Sequence, residues 1–168
     1  EQGLAPSREQ AQRLIMAGRV YVDEVRVDKP AQQLPADARL ILRGEVDQYA
    51  SRGAHKLEKA LQHFEADVQG LVCMDIGAAS GGFTDVLLRA GAAKVYAIDV
   101  GYGQLDWRLR QDPRVVVMER TNARTLTPDQ FADHPTLTVM DVSFISIRLI
   151  LPAAAAIMGQ AGRFLTLV

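Results

Sequence analysis

The chain has 168 residues, 48% of them hydrophobic and 23% charged, an ordinary globular composition that supplies a core and excludes disorder and collagen-like repeats. Its length allows one domain, or one modest domain beside a small module. Lysine and arginine number 19 against 20 acidic residues, and the balance is even along the chain: seven and seven over 1–46, three and four over 47–70, nine and nine over 71–168. A nucleic-acid surface must therefore be a local patch and not a global positive field. The longest apolar run, residues 149–158, is interrupted by Pro152 and falls short of the roughly 20 residues of a spanning helix, so stable membrane insertion is not expected. Cys73 is the only cysteine and no leader-like segment opens the chain, which makes a cytoplasmic protein the expectation. The absence of Met at Glu1 and the apolar run ending at Val168 point to a fragment of a longer polypeptide.

Ser7-Arg8-Glu9-Gln10, after Pro6, matches a capping box and predicts a helix with Ala11, Leu14 and Ile15 on one face and Gly18 as its stop. Arg8, Arg13 and Arg19 decorate the remainder. Val20 and Val22 alternate about Tyr21, and Val25 and Val27 about Arg26, predicting two short strands around a tight turn at Asp23-Glu24. Leu40-Ile41-Leu42 is a third strand. Residues 1–46 thus read as a small α+β domain, marginal in size on its own. Ser7 to Ala11, then Leu14 to Asp23 with Pro30 downstream, resemble the small RNA-binding domain shared by a small-subunit ribosomal protein, pseudouridine synthases and some tRNA synthetases. The resemblance implies that Arg8, Arg13 and Arg19 contact RNA phosphates, and that a first helix of this domain is missing ahead of Glu1. On charge pattern alone the same arginines equally fit a solvated helix face.

Residues 45–55 are polar and aperiodic, so 47–56 reads as a linker; Leu57, Ala60, Leu61 and Phe64 then recur at helical spacing and open the main domain, 57–168. Leu71 to Ile76 is a continuous apolar run closed by Gly77, the pattern of a buried strand. It feeds the small-residue loop Gly77-Ala78-Ala79-Ser80-Gly81-Gly82-Phe83-Thr84, followed by a helix through Val86, Leu87 and Leu88. Strand, small loop and helix together bring backbone close to a ligand at a helix start. The glycine spacing is neither that of a dinucleotide fingerprint nor that of a phosphate-binding P-loop. Asp75 ends the first strand and Asp99 ends Val95-Tyr96-Ala97-Ile98, and this pairing fits S-adenosylmethionine, whose ribose hydroxyls need an acidic acceptor at the second strand's tip. The opposing interpretation is a ligand-free doubly wound sheet with tight turns. Val115 to Met118, 137–146 and 163–168 read as further strands. Asp75, Asp99, Thr121, Asn122 and Asp141 lie at carboxyl ends of strands, where open parallel sheets bind ligands. His55, His63 and His134 have no metal-ligand spacing with one another or with Cys73, so no metal is expected.

Asp75-Ile76-Gly77-Ala78, Ser80-Gly81-Gly82-Phe83-Thr84, Asp99-Val100-Gly101-Tyr102-Gly103 and Asp141-Val142-Ser143-Phe144-Ile145-Ser146 strongly resemble the TlyA or hemolysin A family, which looks like FtsJ-type ribosomal RNA ribose methyltransferases with a small RNA-binding domain in front. The implied fold is α/β: a Rossmann-like S-adenosylmethionine-dependent methyltransferase sheet, truncated at its C-terminal side, preceded by the small domain truncated at its front. The implied partners are ribosomal RNA or a ribosomal subunit, and Asp75, Gly77, Ala78, Ser80, Gly81, Gly82, Phe83, Thr84, Asp99, Val100, Thr121, Asn122 and Asp141 are the cofactor-contact candidates. Ser51-Arg52-Gly53-Ala54-His55-Lys56-Leu57 is similar to the family's Ser-Arg-Gly-x-x-Lys-Leu segment, adding Ser51 and Arg52 to the RNA-contact candidates. The resemblance also carries over the first two members of a lysine, aspartate, lysine, glutamate catalytic set, onto Lys56 and Asp141; the other two are expected beyond Val168. A lysine acts as base only when its pKa lies well below about 10.4. Lys56 as a solvated helix residue, Asp141 as a turn cap, and Tyr102, Trp107 and Phe144 as base-stacking or rim-packing aromatics stay open at this level. The competing functional class is a hemolysin-type membrane-active or non-catalytic RNA-binding protein, against which the chain shows no strongly basic amphipathic helix.

Overall fold

The computed structural model describes residues 3–5, 7–43, 49–143 and 145–167. Contacts divide it into two units, Glu1–Gln48 and Tyr49–Val168.

In the first unit the Ser7 hydroxyl accepts the Gln10 amide at 3.2 Å and starts α1 (Arg8–Met16). Pro6 lies outside the described residues. β1 (Val20–Val22) and β2 (Val25–Arg26) form a hairpin whose central residues, Asp23 and Glu24, both have positive φ, the requirement of a turn that matches strand twist. β3 (Leu40–Leu42) pairs antiparallel with the other edge of β1. Leu14, Val20 and Val27 are the buried residues of this unit's core, a small one for an independent domain.

The second unit is built on five parallel strands: β4 (Val72–Ile76), β5 (Lys94–Ile98), β6 (Val115–Met118), β7 (Leu137–Met140) and β8 (Arg163–Thr166). Their order is β6-β5-β4-β7-β8. The chain works outward from β4 through β5 to β6, then returns to the opposite side of β4, so the direction of winding switches between β4 and β7. Alternation of side chains divides the core in two. Cys73, Val95, Ala97, Leu137 and Val139 pack with residues of α2 (Ala54–His63) and α3 (Gly82–Arg89). Met74, Ile76, Tyr96, Ile98 and Met140 pack with α5 (Leu151–Met158) on the other face. Both faces are covered, which is why the strands read as continuous apolar runs. Cys73 is buried, and burial pushes its thiol up to about 12, leaving it inert. Among the described residues no helix is long and apolar enough to cross a membrane.

Three local expectations change. Tyr49 onward belongs to the second unit, so residues 49–56 of the expected linker are part of its fold: Ala50 and Ala54 are buried, and α2 begins at Ala54. Two alanines and backbone contacts carry that burial, and neither leaves an apolar period in the sequence. Phe64, placed on the apolar face by spacing, is the C-cap of α2 and is exposed. The run 137–146 is strand only to Met140, and Phe144 is outside the described residues. Residues 151–158, too uniformly apolar to show a period, form α5, where Pro152 sits in the first turn and its missing N–H costs nothing. A short helix, α4 (Trp107–Gln111), follows the β5 tip, capped by the Asp106 carboxylate accepting from Arg108 N.

Leu87 is fully buried where α3 meets the sheet. Leu87→Ala should cost the second unit about 2–5 kcal/mol in denaturant unfolding; a loss below about 1 kcal/mol would show that α3 is not packed as described.

Candidate active site

The β4, β5 and β7 tips lie side by side, because β4 pairs in parallel register with both of the others, Ile76 opposite Ile98 on one side and Met140 on the other. Gly77, the first residue past β4, has φ +86, and a Cβ there would stand 2.8 Å from the Asp141 carbonyl oxygen. A side chain would push the β4 loop away from the β7 tip, so glycine is required for these two segments to meet.

Asp99, at the β5 tip, is tied to the same loop. One carboxylate oxygen accepts from the Ala79 amide at 2.8 Å and the other from the Gly101 amide at 2.6 Å. Its carbonyl accepts from Thr121 N at 2.9 Å, while Arg120 N donates to the Gly101 carbonyl at 3.0 Å. Glu119 accepts from the Gly103 amide and from Arg110, whose guanidinium holds this carboxyl below its ordinary range. The Arg120 guanidinium lies 4.3 Å from the centre of the Tyr102 ring. These contacts fasten residues 99–103 along one side of the loop, with Val100 and Tyr102 exposed.

The first turn of α2 closes the other side. Lys56 Nζ donates to Asp141 Oδ2 at 2.9 Å, across 85 positions of sequence. Lys56 is 54% exposed and Asp141 35%, so the pair adds little to stability. What it provides is placement: an ammonium and a carboxylate held together beside the glycine loop.

The remaining candidates separate into open and interior positions. Gly77, Ser80, Asp99, Val100, Thr121, Asn122 and Asp141 retain solvent access. Asn122 spends its side chain capping a 3-10 turn, accepting from Arg124 N, and the Thr121 hydroxyl donates to the Glu119 carbonyl. Ala78, Gly81, Gly82, Phe83 and Thr84 are buried, Phe83 in the core and Gly82 against Ser51. Asp75 is buried too, accepting from the Thr84 hydroxyl at 2.7 Å. Burial raises its carboxyl to about 7, a shift that the Thr84 hydrogen bonds only partly offset. Arg8 and Arg13 are exposed on α1 and Arg19 is half-buried in the first unit; Ser51 and Arg52 lie on the turn before α2 in the second. Sequence reasoning missed the amides of Ala79 and Gly101 as partners of Asp99, which no side-chain pattern could reveal, and Asp85, whose carboxylate accepts from Ala50 N. Among the described residues no group of three or more His, Cys, Asp or Glu is placed to hold a metal ion.

Strand order and the glycine turn after the first strand define a class, the doubly wound, Rossmann-like sheets. Residues 49–166 match the FtsJ-like methyltransferase family and residues 1–40 match the S4 domain. The chain belongs to the FtsJ-like methyltransferase family, with an S4 domain at its front. It is 53% identical over 152 residues to the 16S/23S rRNA (cytidine-2'-O)-methyltransferase TlyA of Mycobacterium tuberculosis, covering 90% of this chain and 57% of that protein. Over the same length it is 45% identical to hemolysin A of Brachyspira hyodysenteriae, covering 90% of this chain and 63% of the relative. A solved Streptococcus thermophilus structure, described as a candidate hemolysin, is 48% identical with a TM-score of 0.73, covering 98% of this chain and 61% of that one. The chain therefore spans about 60% of the length of the relatives it matches.

The raised carboxyl of Asp75 predicts a pH effect. In the folded unit it titrates at about 7, whereas unfolded it does so near its ordinary value of about 4. Between those values the folded state keeps a proton that the unfolded state has lost, so this group's contribution to stability falls as pH rises from about 4 to about 7 and is level above that. Asp75→Asn keeps an acceptor for Thr84. Thermal unfolding should show the variant melting above the wild type at pH 8, with the gap closing toward pH 4; equal melting at both pH values would contradict a buried, proton-holding Asp75.

Proposed function

We propose that the protein is an S-adenosylmethionine-dependent 2'-O-ribose methyltransferase of ribosomal RNA, with the S4 domain contributing to RNA binding. The observation that carries this reading is the 2.9 Å contact of Lys56 with Asp141 at the β7 tip, where Gly77 brings the glycine loop against the same residue. The substrate class is supported by the S4 match and by what the M. tuberculosis relative is named for.

The donor set fits the cofactor. Asp99 is a half-buried carboxylate whose two oxygens each take one backbone amide, which leaves acceptor capacity for ribose hydroxyls. The exposed Ala79 and half-buried Ser80 place backbone at the mouth of the loop. Residues 77–80 and 99–100 would hold S-adenosylmethionine, with Thr121 and Asn122 beside the ribose end. When bound, this cofactor supplies a methyl group already activated by positively charged sulfur.

A ribose 2'-oxygen would take that methyl carbon, and the carbon–sulfur electron pair would remain with the departing sulfur. The hydroxyl proton must leave. Lys56 would receive it only as the neutral amine, with Asp141 orienting that amine by accepting one of its hydrogens. The protein's larger task is alignment, since an in-line displacement is sensitive to sub-ångström placement of the attacking oxygen. Exposed Arg8, Arg13 and Arg52 would add phosphate contacts, which position RNA without reading its sequence.

Titration calorimetry with S-adenosylmethionine tests the cofactor site. Binding in the micromolar range should be weakened about tenfold or more by Asp99→Ala, which removes both the loop anchor and the ribose acceptor. Equal affinity in the variant would move the cofactor away from the β5 tip.

A further inference from the structure

We infer that Asp85 of α3 is a positioning residue for the reaction, holding the backbone ahead of Lys56 so that the lysine reaches Asp141. The inference rests on the functional reading of Lys56 and Asp141 given above.

Asp85 is a buried carboxylate, and a buried charge is tolerated only when it is paired and hydrogen-bonded. One of its oxygens accepts from Arg89 Nε at 2.8 Å, one turn along the same helix. The other accepts from the Ala50 amide at 3.0 Å, 35 positions away in sequence. An i,i+4 ion pair contributes only about 0.5 kcal/mol, too little to offset burial of a carboxylate, so the Ala50 bond is the part that the fold uses. Ala50 is buried and stands six residues before Lys56.

The rest of the segment is seated on the same helix. Gly82 lies one turn before Asp85, and a Cβ there would run into the Ser51 hydroxyl and come within 3.1 Å of Ala54 N. Gly82 is thus the flat place on which the 51–54 turn rests. Tyr49 closes the arrangement from the other side: its hydroxyl donates to Glu58 of α2 at 2.8 Å and its ring lies 4.8 Å under the Arg89 guanidinium. Residues 49, 50, 51 and 54 are in this way fixed to α3 or α2 before the chain reaches Lys56. The lysine side chain is itself half-exposed, and among the described residues Asp141 is its hydrogen-bond partner. Its reach therefore depends on where the start of α2 is held, and the Asp85–Ala50 bond is one of the contacts that fix it.

A residue that acts only through Lys56 should change turnover and leave cofactor binding alone. In the full-length protein, methyl transfer to ribosomal RNA at saturating S-adenosylmethionine gives kcat, and calorimetry gives the cofactor Kd. Asp85→Ala should lower kcat about tenfold or more while Kd stays within about twofold. Asp85→Asn, whose amide oxygen can still accept from Ala50 N, should recover kcat to within about threefold of wild type. Arg89→Ala leaves the core untouched and loosens the same carboxylate from its exposed side, so kcat should fall about threefold, again at constant Kd. Wild-type kcat in both Asp85→Ala and Arg89→Ala, a cofactor affinity that falls in step with kcat, or an Asn variant no better than Ala overturns the positioning role. A wild-type protein that binds cofactor but transfers no methyl to RNA overturns the functional reading itself, and this inference with it.

Discussion

The parallel pairing of β4 with β7 is the constraint on which the site depends. These strands are far apart in sequence, yet their register sets Ile76 opposite Met140, so each chain leaves the sheet at the same level. Gly77 then permits an approach that any side chain would block, with the β4 loop resting against the Asp141 backbone. With β5 on the other side of β4, three strand tips converge, and the Asp99 carboxylate spans from its own loop to the Ala79 amide. The site is a consequence of strand order and one glycine before it is a consequence of any charged residue.

Stability and chemistry draw on different parts of this framework. Apolar packing on both faces of the sheet supplies the stability, and the exposed Lys56–Asp141 pair adds little to it. The pair persists because α2 and β7 are each held in place by the core. Asp75 shows the reverse: it stands at the end of β4 but turns inward to Thr84, and burial makes its ionisation unfavourable. Two carboxylates near neighbouring strand tips thus differ in character, Asp99 half-exposed with two amides fixed to it, Asp75 enclosed with Thr84 as its partner.

The parts of this arrangement that were legible in sequence share a physical origin. Val72 to Ile76 reads as a buried strand because both of its faces are covered, and Gly77 marks its end because backbone closeness requires a glycine. Asp99 is visible as the acidic residue at the end of the next apolar run. Lys56 is different: it sits in a polar stretch with no period, and only the family likeness marks it. The 49–56 segment read as linker because it is held by two small alanines and by a backbone amide on Asp85, and none of these leaves a hydrophobic signature. Asp85 was hidden for the same reason, since an acidic residue four places before an arginine on a helix reads as surface. Phe83 and Thr84 look like ligand contacts in the loop motif, yet Phe83 fills the core and Thr84 bonds Asp75, roles that depend on the direction in which α3 leaves the loop.

The Lys56–Asp141 pair is proposed to serve the methylation of a ribose hydroxyl. The most direct measurement is to incubate the full-length protein with methyl-labelled S-adenosylmethionine and ribosomal RNA, digest the RNA to nucleosides, and identify which atom carries the label, for wild type and for Lys56→Ala. Label should be confined to a 2'-O-methyl nucleoside and lost in the variant. Label on a base, or a 2'-O-methyl yield undiminished by the variant, would contradict it.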